Sequence, residues 1–267
     1  MKERLRMLVT VKAYPSISKR KGETVCVAGL RERGEGSFEW ARLWPVPFRD
    51  MDIAGRFSTW QWVELDAQRT SSDQRPESWR PVIDSIVTRE PVEPRAGWRD
   101  RLHFLEPVML SSMCELRRKQ EAAGTSLAAF RPREVFDVTA EPNDPWSAEH
   151  EAVASQTSLL MPDKRPLEWI PTRFKFHYSC GDVEAGCRGH SQTVVDWGLL
   201  QLYRNSKRNH GPAKAEGDVI QIAGPTKDTI FFVGNQHQAR RGWMVIGMAY
   251  PPVRSEGESD QLRLELL

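Results

Sequence analysis

The sequence predicts an α+β protein. A small β-barrel-like sheet comes first, helices follow, and a C-terminal unit of strand, zinc turn, helix and two strands completes it. Three observations support this class. Residues 1–90 contain short segments in which apolar and polar side chains alternate. Apolar residues recur at intervals of three or four over residues 98–123. The last third holds apolar strand-like runs and a turn that contains Cys and His.

The N-terminal strands are predicted from alternation with a period of two. Gly-containing turns separate several of these segments, and short strands joined in this way are typical of a small barrel or a strongly curled sheet. The predicted strands cover residues 8–13, 24–30, 38–44, 59–65 and 81–87.

The middle of the chain is predicted to be helical. The apolar stripe from Leu102 to Leu116 predicts helix over residues 98–123, which Pro107 would divide, and Gly124 is a candidate C-cap. The later elements are predicted as a strand at 130–138, a loop with a short helix at 141–152, a strand at 171–180, a helix at 191–204, and strands at 229–233 and 243–250.

The predicted domain organisation has three parts. Residues 1–130 form a small β-barrel-like domain with a trailing helix. Residues 131–254 form an α+β domain that carries the Cys and His residues, and residues 255–267 are a flexible tail.

The composition excludes several classes of protein. Among 267 residues, 39% are hydrophobic and 28% charged, with ten Trp and ten Phe, so enough apolar surface is available to form a core. No apolar run approaches the roughly 20 residues that span a bilayer. The N-terminus lacks a signal-peptide pattern, so a cytoplasmic location is expected. Four Cys are too few for a disulfide scaffold.

The charge is unevenly distributed. The net charge is +2, but residues 1–50 contain eleven Lys or Arg against six Asp or Glu. Residues 164–214 contain nine against four. Two basic segments on a nearly neutral protein favour a surface that faces a polyanion, and DNA or another nucleic acid is the expected partner. The alternative is that the two segments never meet in space.

The sharpest motif is Cys180-x6-Cys187-x2-His190. Thiolate and imidazole groups suit zinc, and short spacers bring them to one corner of a tetrahedron. We predict a structural Zn²⁺ at these residues. His177 is a poor fourth ligand because it faces the other side of an extended strand; His210, Cys114 and Cys26 remain candidates. A turn without metal, or a reactive thiol, is the alternative interpretation.

Three polar residues are candidate catalytic groups. Asp196 lies among apolar neighbours, so it either pairs with an Arg such as Arg204, faces solvent, or is held in a pocket for catalysis. Asn235 and His237 follow a fully apolar strand, which is a usual place for a site on a rigid scaffold. Their side chains could contact a base or polarise a leaving group. A polar hairpin tip is the alternative.

A second group consists of candidate substrate-binding residues. One segment, DQRPESW, combines two carboxylates, an Arg and a Trp, so it is either a ligand clamp or a salt-bridged turn. Arginines near the helix of the last third and beside His237 are expected to contact phosphates. The candidate substrate-binding residues are Asp73, Arg75, Glu77, Arg204, Arg208, Arg240 and Arg241.

Several blocks resemble those of a prokaryotic protein family that has no established mechanism. These blocks are KAYPSISKRKGETVCVAGL, EWARLWPVPFR, DQRPESWRP, C-x6-C-x-G-H-x5-D-W and FFVGNQH…GWMVIGMAYPP. The resemblance runs from about residue 8 to residue 252, and it implies that the blocks belong together in one protein. A looser similarity, which rests on chemistry alone, is to DNA glycosylases of antiviral defence.

The function expected from these features is excision of a modified base from DNA. Cleavage of a glycosidic bond needs a carboxylate that activates water, and a flipped base needs aromatic and amide walls. The sequence lacks a Walker A loop, a dinucleotide fingerprint and an HExxH motif, which agrees with chemistry that uses no nucleotide cofactor. A metal-dependent nuclease and a non-catalytic nucleic-acid reader are the alternatives.

Overall fold

A computed structural model describes residues 2–18, 21–34, 36–95, 98–160, 167–182, 186–222 and 228–251; side chains of 156–160 are not described. The chain contains two sheets with helices on one side of the second. The predicted flexible tail lies outside the described residues. Among the described residues, no helix is long and apolar enough to cross a membrane.

The first sheet contains seven strands. Its strands are β1 (Lys2–Lys12), β2 (Ser16–Ser18), β3 (Gly22–Gly34), β4 (Ser37–Val46), β5 (Gln61–Gln68), β6 (Ser78–Pro81) and β7 (Val87–Pro91). The pairings run from β1 to β3, β4, β6 and β5, and β5 pairs again with β1. The contact between β4 and β6 is parallel, whereas the other pairings in this circuit are antiparallel. The predicted N-terminal sheet is therefore confirmed, while its barrel shape stays a prediction.

Alternation of side chains explains why these segments form strands. In β1, Met7 and Val9 contribute to one buried cluster, together with Val27 and Leu43. Leu8 of the same strand contributes to a second cluster on the other face. A strand that is buried on both faces reads as a nearly continuous apolar run, as MLVTV does here.

The second sheet contains six strands in the order β8-β12-β13-β11-β10-β9. Its strands are β8 (Leu127–Phe130), β9 (Glu134–Pro142), β10 (Thr172–Ser179), β11 (His190–Val194), β12 (Ile230–Asn235) and β13 (Trp243–Ala249). The predicted strands at 171–180, 229–233 and 243–250 are confirmed, with ends shifted by a few residues. The single strand predicted at 130–138 is wrong, because residues 131–133 separate β8 from β9.

Five helices accompany the sheets in the part of the chain that the structure describes. They are α1 (Arg99–Leu105), α2 (Met113–Ala123), α3 (Ala148–Leu160), α4 (Trp197–His210) and α5 (Pro212–Ile222). The division of the first helical segment near Pro107 is confirmed, because a 3-10 turn at Glu106–Val108 follows α1. Gly124 ends α2 with a φ of 73°, a left-handed conformation that favours glycine.

Two further sequence predictions about secondary structure are wrong. The helix predicted at 191–204 begins only at Trp197, because residues 190–194 pair with β10 and β13 as a strand. The strand predicted at 81–87 is a 3-10 turn at Ile83–Ser85 between two short strands. In both places, long-range strand pairing decides the structure over the local apolar spacing.

The protein has three buried apolar clusters, and one of them holds the two sheets together. Leu8 and Val11 of the first sheet share a buried cluster with Phe232 and Ile246 of the second. On its other face, the second sheet buries aromatic side chains such as Phe174 against Tyr203 of α4. The close approach of the sheets needs glycine at 247, where a Cβ would lie 2.9 Å from a methyl group of Val11. The domain boundaries predicted from the sequence stay predictions; β8, assigned to the first domain, pairs with β12.

Candidate functional site

A cavity of about 610 Å³ opens between the two sheets. The first sheet contributes the connection after β1, the faces of β3 and β4, and the connection between β5 and β6. The second sheet contributes β12, β13 and the loop at 236–242 that joins them. Both polar segments that the sequence analysis singled out, at Asp73–Glu77 and at Asn235–His237, therefore meet at one place.

The centre of the site is a charged group formed by Asp73, Arg75 and His237. Arg75 donates from Nε and Nη2 to the Asp73 carboxylate, at 2.9 and 2.6 Å, and both side chains are buried. His237 Nδ1 lies 3.2 Å from Asp73 Oδ1, while its ring is 44% exposed. Burial opposes ionisation of Asp73, but Arg75 outweighs it and holds the pKa of this carboxyl well below its usual range.

This arrangement gives His237 a defined orientation. The Asp73 carboxylate accepts from Nδ1–H, so Nε2 is left as the nitrogen that can accept or donate a proton. An imidazole oriented by a carboxylate is a recurrent general acid–base device. Asp73, a predicted substrate-binding residue, contacts His237 and Arg75 in the structure, and its role in substrate binding stays a prediction.

A second buried network lies behind the first. Arg42, which is 2% exposed, donates to Ser126 Oγ at 2.9 Å and to Ser78 Oγ at 3.3 Å. Glu77 accepts from Ser126 through both its oxygens, at 2.9 Å from the backbone N–H and 2.6 Å from the hydroxyl. Arg42 and Arg75 thus balance Asp73 and Glu77, and this part of the wall has no net formal charge.

The remaining walls combine aromatic and apolar side chains with Ser, Asn and Gln side chains. Trp44, Tyr14 and Ile246 line the cavity, and Lys21 Nζ lies 4.1 Å from the centre of the Trp44 ring. Burial raises the pKa of Tyr14 to about 12, so its hydroxyl stays neutral and donates to the Glu168 carbonyl oxygen. Among the aromatic residues of the first sheet and its connections, Trp60 and Trp62 are core residues, whereas Trp44 lines the cavity.

Asn235 shapes the loop beside His237. Its Nδ2 donates to the Arg240 carbonyl oxygen at 3.0 Å, and its own carbonyl oxygen accepts from Arg75 at 2.6 Å. Its buried Oδ1 has no hydrogen-bond partner among the described residues. These contacts connect the loop of the second sheet to the charged group of the first, so the two sides of the cavity are held in one geometry.

Asp196 lies away from this group. It is the N-cap of α4, where its Oδ1 accepts from the Leu199 N–H at 2.6 Å, and it does not line the cavity. Burial raises its pKa to about 6, against the lowering effect of backbone hydrogen bonds from residues that include Leu199 and Met248. Its predicted catalytic role stays a prediction.

The four candidate phosphate-binding arginines fall into two pairs. Arg204 donates from Nε to Glu168 Oε2 at 2.7 Å, and Arg208 lies 3.9 Å from the same carboxylate. Arg240 and Arg241 are exposed in the loop beside the cavity, and within the described part of the chain no ion pair involves them. Only the second pair is free to receive a phosphate at the cavity entrance.

A separate cluster consists of Cys114, Cys180, Cys187 and His190. Their ligand atoms all lie within 4.8 Å of one another. Cys180 Sγ is 3.5 Å from Cys187 Sγ and 3.7 Å from Cys114 Sγ, and His190 Nε2 is 3.2 Å from Cys180 Sγ and from Cys187 Sγ. A tetrahedral zinc with Zn–S distances near 2.3 Å separates its sulfur ligands by about 3.8 Å. The cluster therefore has the dimensions of a Cys3His zinc site.

The electrostatics of the cluster also fit a cation. Burial lowers the pKa of His190 to about 4, which keeps the ring neutral as a ligand must be. Burial and the neighbouring thiols raise the pKa of Cys114 to about 12. Three thiolates would repel one another, so a metal ion is the natural counter-charge. The sequence analysis found three of the ligands and named Cys114 among candidates for the fourth.

Other residues of the site had no clear signal in the sequence. Arg42 occurs in a strand as one basic residue among many, and Ser126 lies in a short link between α2 and β8. Their importance comes from the buried network that they form with Glu77. The fold brings the residues of this network together from separate elements, so no local sequence pattern predicts it.

Fold and sites define a two-part α+β protein with an interfacial cavity and a Cys3His cluster. Residues 109–266 match a domain of unknown function (DUF8757), and the chain belongs to that family. Residues 3–107 match a second domain of unknown function (DUF8758). No curated protein matches the chain by sequence.

Among solved structures, a murine DNA-binding protein bound to double-stranded DNA is similar over 95% of this chain and 97% of that chain. Its sequence identity is 9% and the TM-score is 0.35. A likeness at this level supports no conclusion about fold or function.

Proposed function

We propose that this protein binds DNA and receives one extruded base in the cavity between its two sheets. The observation that carries the proposal is the place of the cavity on the N-terminal sheet. It lies on the face of β3 and β4, between the connection after β1 and the connection before β6. Five-stranded Greek-key barrels bind oligonucleotides on the equivalent face and loops. We infer that the circuit of pairings through β1, β3, β4, β6 and β5 is such a barrel.

The lining of the cavity favours a base over a phosphate. Its volume of about 610 Å³ falls within the roughly 300–1,000 Å³ of small-molecule sites. Asp73 lines the cavity beside Arg42 and Arg75, and Glu77 lies behind the wall, where it shares Ser126 with Arg42, so little excess positive charge is left for a phosphate. Trp44 supplies an aromatic surface on which a planar heterocycle can stack. Arg240 and Arg241 would hold the flanking phosphates outside.

The group around His237 favours catalysis over simple reading of the base. In hydrolytic base excision the C1′–N bond breaks, its electron pair leaves with the base, and water adds to C1′. The proposal assigns to His237 the transfer of a proton to the departing base, or from the attacking water. Asp73 is a positioning residue because it fixes the tautomer of His237, and Arg75 fixes Asp73.

We further propose that the Cys3His cluster binds one Zn²⁺ with a structural role. Four protein ligands leave no open position for substrate or water, which is typical of structural zinc sites. The ligands come from α2, the end of β10, the following connection and β11. One ion would therefore connect four segments of the second sheet and its covering helix.

A duplex that carries 2-aminopurine opposite a mismatch tests base extrusion, because the fluorescence of this base changes when it leaves the stack. Trp44→Ala should weaken the fluorescence change more than it weakens overall binding. His103→Ala, an exposed substitution on α1, is the control. A protein that binds the duplex without any fluorescence change contradicts extrusion.

Catalysis is tested by chromatography of released bases from DNA that contains a panel of modified bases. Release of a free base with an alkali-labile site left behind, retained in EDTA and lost in His237→Ala, supports base excision. Direct cleavage of the backbone that EDTA abolishes would point to a nuclease instead. Extrusion without any product would assign the protein to non-catalytic readers.

A further inference from the structure

Five exposed arginines on segments next to the Cys/His cluster or beside the cavity lie outside the networks described above. We call them the basic path. They are Arg117, Arg133, Arg188, Arg240 and Arg241. Within the described part of the chain, none of them has a carboxylate within ion-pair distance. Three of them are far from one another in the sequence, so only the fold brings them to one region.

The Cys/His cluster brings the first three together. Arg117 follows Cys114 by three residues, almost one turn of α2, and thus lies on the same side of the helix. Arg188 is adjacent to Cys187 in the sequence.

Arg133 reaches the cluster from the connection between β8 and β9. Its side chain packs on Gly181, where a Cβ would lie 2.9 Å from Arg133 Cδ, and its backbone N–H donates to the Ser179 carbonyl oxygen. Arg133 is therefore next to the end of β10, where Cys180 lies. Three exposed arginines therefore lie on segments next to one Cys3His cluster.

Helix α2 connects this region to the cavity entrance. Gln120, in the last turns of α2, donates to the Arg240 carbonyl oxygen in the loop at 236–242. Cys114 and Gln120 are six residues apart, which is about 9 Å along a helix axis. That length covers about three phosphates of one DNA strand at 3.4 Å each. The basic path thus extends from the cluster to the residues beside His237.

Nearby acidic residues are largely neutralised. Asp182 pairs with Arg118 at 2.9 Å, and Glu115 lies 3.7 Å from Lys119. Glu134, next to Arg133, and Glu121, four residues after Arg117 on α2, remain as exposed carboxylates. Counting these groups with the five arginines leaves a clear excess of positive charge along the path.

We infer that the basic path binds the phosphate backbone of DNA and guides it from the Cys/His cluster to the cavity. The inference rests on the proposed function and extends it, because it gives the cluster region a direct role in substrate binding. Unpaired arginines in a row suit phosphates, which they contact through two N–H groups at once. Arg204 and Arg208 are excluded from the path because Glu168 holds them.

An alternative role for the first three arginines is local. A Zn²⁺ with three thiolates and a neutral His carries a net charge of −1, and nearby guanidinium groups would stabilise it. The two roles differ in what they predict: a local role affects metal retention, whereas the proposed role affects the salt dependence of DNA binding.

The test compares the triple variant Arg117→Gln, Arg133→Gln, Arg188→Gln with the matched variant Arg204→Gln, Arg208→Gln. Binding to the 2-aminopurine duplex is measured over a range of salt concentrations, and zinc content is measured on each sample. The slope of log K against log salt should become shallower by about 0.9 for each lost phosphate contact, or about 2.7 for three. The control variant should keep the slope of the unmodified protein.

The outcomes separate the inference from the proposed function. If the triple variant retains zinc and still shows the unmodified slope, the basic path is not a phosphate path. If the triple variant loses zinc but shows the unmodified slope after zinc is added back, the inference is also overturned and the local role is supported. If the unmodified protein binds no duplex at all, the proposed function fails instead.

Discussion

Asp196→Asn should stabilise the protein at neutral pH and remove part of the pH dependence of its stability. Asp196 caps α4 through the Leu199 N–H, yet burial raises its pKa from 3.8 to about 6. Because the folded-state pKa lies above the unfolded value, the folded state binds the proton more tightly. Stability is then highest below about pH 4 and falls as the pH rises to about 6, after which it stays constant.

The size of the effect follows from the pKa change. At 1.36 kcal/mol for each tenfold change in acidity, a rise from 3.8 to about 6 corresponds to roughly 3 kcal/mol. Asn has the shape of the protonated carboxyl and is as good an N-cap as Asp. It loses about 0.3–1 kcal/mol of favourable interaction between a negative charge and the helix N-terminus. We therefore expect a net gain of about 2 kcal/mol at pH 7 and almost none at pH 4.

Urea unfolding of the two proteins at a series of pH values between 4 and 8 measures this difference directly. Comparing variant with parent cancels the contributions of the other carboxylates. Asp196→Ala is the control, because it removes the cap as well and should lose about 1 kcal/mol relative to the Asn variant. An Asn variant that is less stable than the parent at pH 7, or a difference that does not change with pH, refutes the reasoning.

Activity of the same Asn variant separates the two roles of Asp196. A catalytic carboxylate would lose on the order of 10²-fold in rate when its charge is removed. The N-cap role seen in the structure predicts that base release persists.

Three further predictions concern the cluster, the cavity and the contact between strands. Protein purified without added metal should contain about one zinc per chain by elemental analysis. Cys114→Ser should lower both the zinc content and the melting temperature. Equal zinc content in the variant and the unmodified protein would exclude Cys114 as a ligand. Asp73→Asn should lower the free energy of unfolding by about 3–5 kcal/mol at pH 7, because it leaves Arg75 buried without its partner. Since the folded-state pKa of Asp73 lies below its usual range, the difference between variant and parent should shrink as the pH falls below about 4. Equal stability of the two proteins in urea unfolding at pH 7 would show that the pair adds nothing. Gly29→Ala should lower the free energy of unfolding by more than about 3 kcal/mol or prevent folding, because its Cβ would lie 2.0 Å from a backbone oxygen of β1. In the control Gly217→Ala, in α5, the Cβ meets nothing within 4 Å, so the free energy of unfolding should rise by up to about 1 kcal/mol. Similar melting temperatures for the two variants would contradict this.

The sequence by itself determined the features that depend on neighbours along the chain. Alternation in the segment around Leu8 predicted a strand, and the stripe from Leu102 to Leu116 predicted two helices divided near Pro107; the structure confirms all of these. The spacing of Cys180, Cys187 and His190 predicted three residues of the cluster. In each case a short piece of chain restricts which side chains can share a face or a corner, so the pattern is readable without the rest of the fold.

Tertiary structure decided everything that joins distant segments. Cys114 meets Cys180 across 66 positions, and Asp73 meets His237 across 164. Residues 190–194 became a strand because β10 and β13 offer backbone partners on both sides, which an apolar spacing cannot report. Backbone hydrogen bonds and buried ion pairs form between groups that the packed chain brings within about 3 Å of each other. Which groups become partners depends on how the two sheets pack together, and a local sequence pattern does not contain that information.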